Sequence, residues 1–301
     1  MGSVLMSDHT DTFVGHRNLL FTVAYEMLGS AADAEDVLQE TWLRWAGVDL
    51  EQVRDRRTYL VRIATRLALN RLRTMARRRE SYVGPWLPEP LLTAPDVAED
   101  VELAESLSMA MMLVLETLSP TERAVFVLRE AFDVGYDEIA EAVGKTPAAV
   151  RQIAHRARRH VDARRPRERV SASETRAALE SFQRALRTGD LQGLLDVLAT
   201  EVVLVTDGGG VRQAAVRPVA GADRVARFMA GGLGKVTGVL TIDTRIVNGS
   251  PALVVHLDGE LDGVLAARVS GGRITGLYYV RNPAKLSHLA SGPPLTGRAG
   301  A

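Results

Sequence analysis

The 301-residue chain contains no cysteine. That excludes disulfides, thiol redox sensing and zinc–thiolate sites together, and it fits a reducing compartment. Net charge is missing too, since 37 basic residues balance 37 acidic ones. No apolar run reaches membrane-spanning length. The N-terminus lacks the basic-then-apolar pattern of a secretory signal. A cytoplasmic protein with no membrane partner is expected, and no cofactor or metal. An apolar content of 46% still suffices for real cores, and the length suggests about two domains.

The zero net charge hides strong local segregation. Arg54 to Arg79 holds ten arginines against one acid, and Arg151 to Arg169 holds eight against two. Between them, Asp96 to Glu105 carries five acids and no base. Fields act locally, so this asymmetry says more than the total.

The most informative stretch is Tyr136 to Val161. Gly144 suits the left-handed end of a first helix. Thr146 caps a second helix and Pro147 fits its first position. A short helix, a tight glycine turn and a longer basic helix predict a helix-turn-helix. Val150, Ile153, Ala157 and Val161 fall on the inner face. Ala148, Ala149, Arg151, Gln152, His155, Arg156 and Arg159 are left outward. Small residues first, then Gln and Arg, suit a major groove. A solvated helical hairpin would show the same periodicity.

Upstream, residues 1–10 read as a loose leader, with Met6 as an alternative start, and residues 12–28 as a helix. Ser30 to Asp33 resembles a capping box opening a helix to about Ala46. Its buried stripe is Ala34, Leu38, Trp42 and Trp45; Asp33, Asp36, Gln39 and Glu40 form an acidic outer face. A helix from Thr58 to Arg79 follows, nearly all arginine on its outer side, with Thr65 and Asn70 among them. A helix of one sign repels itself unless an anion compensates, and nucleic acid is the expected anion. Three prolines within Pro85–Pro90 force an extended segment, where Trp86 and Leu87 are expected to dock on something. Ser119-Pro-Thr-Glu122 is a second capping box.

Beyond Arg169 the composition shifts. Helices are predicted at Ser173–Thr188, Leu191–Leu198 and Gly221–Met229. Strands follow: Val202–Thr206 and Val211–Val219 flank Asp207-Gly-Gly-Gly210, read as a hairpin turn, and with Val239–Val247, Ala252–Leu257, Gly263–Val269 and Arg273–Val280 they make a curved antiparallel sheet. Asn248-Gly249, Asp258-Gly259 and Gly271-Gly272 mark its turns. The tail from Ser291 reads as loose.

Taken together, the first 165 residues resemble an extracytoplasmic-function (ECF) sigma factor of bacterial RNA polymerase. Asp33–Trp45 is similar to region 2.2, Thr58–Arg79 to later region 2, and Ser119–Val161 to region 4. The remainder resembles a SnoaL-like domain, which one ECF subgroup carries at its C-terminus. Trp86-Leu-Pro-Glu-Pro90, Asp207-Gly-Gly-Gly210 and Asn282-Pro-Ala-Lys285-Leu286 resemble that subgroup's motifs. The chain departs from them at Ala284, where an acid is usual, and at Val211, where Arg is usual. The implied fold class is multidomain, with two all-α domains followed by an α+β cone-shaped barrel. The expected boundaries are 8–80 for region 2, 81–105 for the linker and 106–167 for region 4. The SnoaL-like domain would span 170–287, and 288–301 a tail.

The resemblance also implies site residues. Asp33, Asp36, Gln39 and Glu40 would bind the β′ clamp of the polymerase core, which also offers its β flap. Arg57, Arg62, Arg66, Asn70, Arg71 and Arg73 would bind the promoter −10 element. Thr146, Ala149, Arg151, Gln152, His155, Arg156 and Arg159 would read the −35 element. Trp86, Leu87, Pro88, Asp207, Gly208, Gly209, Gly210, Asn282, Pro283, Lys285 and Leu286 would serve regulation in cis. The alternative is a one-component helix-turn-helix regulator with a ligand-sensing barrel, a small apolar ligand being the expected guest. That reading leaves the acidic face and the first basic helix unused. An enzyme would need a convergent acid/base pair, for which Asp207, Asp243, His256 and Tyr278 are the candidates. Each has a structural role as its ordinary explanation, so no catalysis is expected.

Overall fold

A computed structural model describes residues 2–79, 82–94, 106–164 and 170–291. The acidic stretch Asp96–Glu105 and the tail beyond Ser291 lie outside the described residues. The chain forms two compact units.

The first unit is helical. It contains α1 (Gly2–Leu28), α2 (Ala31–Trp45) and α3 (Arg56–Arg79), and, after α4 (Met109–Leu115), α5 (Pro120–Phe126), α6 (Tyr136–Val143) and α7 (Pro147–Asp162). Leu20, Leu28, Ala31, Trp45 and Leu60 are wholly buried where the first three helices meet. The expected loose leader is instead part of α1. The Trp45 indole N–H donates to the His9 carbonyl at 3.0 Å, and the His9 ring bonds to the Val48 carbonyl at 2.9 Å. These contacts fix the start of α1. On α2, Trp42 is only half-buried, against Phe13, while Val37 and Thr41 complete the buried stripe. Thr65, expected outside, is wholly buried.

Of the two capping boxes read from sequence, one forms in full and the other only by its Ser30 half. Ser119 and Glu122 make a reciprocal capping box with Pro120 at the first position, and α5 then runs into a π-helical turn, Val127–Ala131. Ser30 accepts from the Asp33 N–H. Gly144 is left-handed at φ 69° and Thr146 caps α7 by accepting from the Ala149 N–H. The inner face of α7 is Val150, Ala154, Ala157 and Val161. Ala154 takes the place expected for Ile153, which is half-buried, because at about 100° per residue position 154 lies closer than 153 to the mean direction of Val150, Ala157 and Val161.

The second unit carries α8 (Ala172–Thr188), α9 (Leu191–Val197), β1 (Leu198–Asp207), β2 (Val219–Ala220), α10 (Ala222–Leu233), β3 (Leu240–Val247), β4 (Ser250–Leu257), β5 (Glu260–Ser270), β6 (Arg273–Val280) and α11 (Pro283–Ser291). Six strands lie in the order β2-β1-β6-β5-β4-β3. The sheet is mixed rather than antiparallel throughout, because β1 pairs parallel with β6. Asp207-Gly-Gly-Gly210 is not a hairpin turn. It opens a loop to Pro218, and β2 is only two residues long. The other three turns form as read, with left-handed Asn248-Gly249, Asp258-Gly259 and Gly271-Gly272 joining β3 through β6. Leu179, Phe182, Leu186, Leu204, Val225, Leu265 and Leu277 form the core between helices and sheet.

Candidate functional site

The acidic face of α2 is paired internally. The Arg71 guanidinium on α3 donates to Asp33 and Asp36, each at 2.5 Å. Glu35 holds Arg17 at 2.7 Å, and Glu40 holds Arg44 at 2.7 Å. Gln39 is exposed. Burial pulls the Arg71 pKa down, but the bonds to Asp33 and Asp36 outweigh it and the net shift is upward.

The arginines of α3 likewise find anions within the chain. Arg56 pairs with Asp8 at 2.7 Å. Arg62 reaches the Glu141 carboxylate at 2.9 Å and Arg66 donates to the Glu141 carbonyl at 2.8 Å. Thr58 donates to Glu138 at 3.1 Å. Helix α6, the first of the helix-turn-helix, thus packs beside the Arg62 side of α3, while Arg66 stays exposed. The compensating anion that composition assigned to nucleic acid is supplied in part by the protein. Arg57, Arg66, Asn70 and Arg73 are exposed. Along α7, Thr146, Arg151, Gln152, His155, Arg156 and Arg159 are exposed and Ala149 is half-buried. They line one outward face of the helix, and Arg151 sits 5.6 Å above the Tyr136 ring.

A third constellation lies in the second unit. Lys285, on α11, has its side chain 4% exposed, and Asp207 at the end of β1 is 0% exposed. The Lys285 ammonium donates to Asp207 Oδ2 at 2.7 Å and to the Leu87 carbonyl at 2.6 Å. It lies 3.2 Å from the Trp86 ring centroid and 4.8 Å from that of Tyr82. Asp207 also accepts from the Leu87 N–H at 2.9 Å and from the Tyr82 hydroxyl at 2.5 Å. Asn282 donates to that hydroxyl at 2.8 Å. Burial, then the Asp207 carboxylate, pushes the Tyr82 hydroxyl well above its usual range, so it stays a donor. Cation–π attraction and a buried ion pair converge on one ammonium. Gly209, at φ +62°, could bear no side chain, which would run into the Asn282 carboxamide. Leu87, Pro88 and Leu286 are buried around this cluster, and Pro283 opens α11.

The structure therefore brings together residues 200 positions apart. It adds two that sequence reading missed, Tyr82 and Asn248. Asn248, read only as a turn residue, accepts from the Leu91 N–H and donates to the Leu107 carbonyl, both at 3.0 Å. Leu92 bridges Val247, so the linker adds a stub of strand to the outer edge of β3. The Asn-Gly pair is the only sequence signal there, and it reports the turn alone. The four candidate catalytic groups do not converge. Asp207 belongs to the cluster above, and Tyr278 is buried on β6. His256 and Asp243 approach only to 3.9 Å, on β4 and β3.

Two segments of the chain match known family models. Residues 13–79 match the family model Sigma-70 region 2, and residues 108–161 match Sigma-70, region 4. The ECF RNA polymerase sigma factor SigJ of Mycobacterium tuberculosis is 37% identical over 95% of this chain and 94% of its own. The probable ECF sigma factor SigI of the same species is 32% identical over 91% and 93%. The crystal structure of the former superposes with a TM-score of 0.74, covering 92% of this chain and 98% of that one, at 32% identity. The chain belongs to the extracytoplasmic-function RNA polymerase sigma factors.

Proposed function

We propose that α2 offers its Asp33, Asp36, Gln39 and Glu40 face to the β′ clamp of core RNA polymerase, and that α3 and α7 bind the promoter −10 and −35 elements. The second unit then acts in cis on the linker. The observation that carries this reading is the seating of residues 82–93. The linker backbone is held at Leu87 by Lys285 and Asp207, and at Leu91 by Asn248. A segment joining two DNA-binding regions sets how far apart they reach. Anchoring it makes that reach a property of the C-terminal domain. In the sigma factor such a linker would thread toward the RNA path of the polymerase, so release from Lys285 is the regulated step.

The major-groove role of α7 has a direct test. Arg151→Ala and Arg156→Ala are each expected to weaken holoenzyme binding to −35 duplex by about 1–3 kcal/mol, with affinity for core unchanged. Fluorescence anisotropy on promoter fragments measures the first, and titration of labelled core the second. Loss of core affinity in either variant would remove α7 from the DNA. In the same assay, in vitro transcription with and without residues 170–301 reads the cis control, and equal output from both would exclude it.

A further inference from the structure

Arg71 stands between two surfaces. Across from it on α2 are Asp33 and Asp36, and beside it on its own helix are Asn70 and Arg73, both exposed. It also walls a groove of about 420 Å³ between α2 and α3, floored by Val37, Leu67 and Met75. Its guanidinium spans carboxylates three residues apart, one bond to each. We propose that Arg71 is a positioning residue that couples the two surfaces: a basic partner that takes Asp33 and Asp36 releases Arg71 toward nucleic acid. This rests on the proposal that the α2 face meets core polymerase.

Three observations carry it. First, one guanidinium cannot satisfy both carboxylates and a phosphate with the same N–H groups. Second, the pair is exchangeable. Arg71 is 35% exposed and Asp36 54%, and exposed pairs hold weakly, so a partner's arginine competes on even terms. Third, the carboxylates hold Arg71 over α2, and its release adds a cation to the side of α3 where Asn70 and Arg73 already face out. Linkage makes the effect reciprocal. If core raises affinity for DNA through this exchange, DNA raises affinity for core by the same factor.

The test uses the full chain, core polymerase and a labelled single-stranded 12-mer from the −10 region of a promoter the wild-type holoenzyme starts from. Oligonucleotide affinity is measured with and without saturating core, and core affinity with and without oligonucleotide. In Arg71→Ala, the core-dependent gain in oligonucleotide affinity should shrink roughly tenfold, while core affinity without DNA stays equal or rises, its carboxylates being unmasked. Arg71→Lys keeps the charge without the fork and should retain part of the gain. A gain unchanged in Arg71→Ala would overturn the coupling. So would loss of core affinity with a parallel fall in Tm, which marks a merely structural brace. Asp36→Arg separates the underlying reading, since it should weaken core binding by charge repulsion. Unchanged core affinity there removes the α2 site itself, whatever Arg71 does.

Discussion

Replacing Lys285 with alanine should destabilise the second unit by about 3–5 kcal/mol, the usual loss when one partner of a buried ion pair is removed. Asp207 would keep its negative charge at 0% exposure with only the Leu87 N–H, the Tyr82 hydroxyl and its own loop to solvate it. The Trp86 face and the Leu87 carbonyl would lose their cation together. For a unit of this size the shift in Tm is about 10 °C, measurable by calorimetry. The linker should also become cleavable. Residues 85–91 run extended, with the Leu87 N–H and carbonyl bonded to Asp207 and Lys285 and the Leu91 N–H to Asn248, and freeing one anchor exposes backbone that a protease needs. Adding Asp207→Asn to Lys285→Met should recover part of the stability, because the stranded charge is gone. Wild-type resistance to proteolysis at 85–91 in Lys285→Ala would mean that Asn248 alone holds the linker. Unchanged transcriptional output in a variant whose linker is freed would make the cluster purely structural.

Local signals were legible wherever one short-range principle decides the outcome. Gly144, Thr146 and Pro147 specify a turn and a cap without help from elsewhere. Asn248-Gly249, Asp258-Gly259 and Gly271-Gly272 likewise fix hairpin turns by their left-handed geometry. What the sequence hid is long-range partnership. Arg71 and Asp33 are 38 residues apart, Arg62 and Glu141 are 79 apart, and Tyr82 and Asn282 are 200 apart. Composition reports the sign of a charge and not where it is neutralised. An arginine-rich helix therefore reads as seeking an external anion, though Asp8, Asp33, Asp36 and Glu141 already serve it in part. Asp207-Gly-Gly-Gly210 misled for a related reason. Glycines permit a tight turn, but they also permit close approach, and at Gly209 it is Asn282 that approaches.

Arg123→Ala should cost about 3–5 kcal/mol in the first unit while raising, not lowering, affinity for single-stranded DNA. Arg123 on α5 is 1% exposed. Its Nε donates to the Glu26 carbonyl at 2.8 Å, and an outer nitrogen reaches Glu116 at 2.8 Å. Glu26 lies in the last turn of α1, where carbonyls lack helical partners and the dipole is negative, so a cation is favoured there. Burial lowers the Arg123 pKa to about 9, with Glu26 and Tyr25 opposing the fall, so the group remains charged at neutral pH. Arg123 thus ties α5 to α1, and α6 follows α5 onto α3. The polar ties of α6 to α3 run through Glu138 and Glu141, and the 63% exposed Glu141 side chain adds about 1 kcal/mol at most. The helix-turn-helix should then part from α3 and free the Arg62 and Arg66 guanidiniums from Glu141. Two more arginines on the phosphates steepen the log–log dependence of affinity on salt by about 1.4, at roughly 0.7 per neutralised phosphate on single strands. Glu141→Ala should reproduce part of that slope with little loss of stability. If Arg123→Ala lowers Tm and leaves the salt slope as it was, either α6 stays on α3 or that face never meets DNA. Crosslinking between cysteines introduced at Arg62 and Glu141 distinguishes the two, since it survives only in the first case.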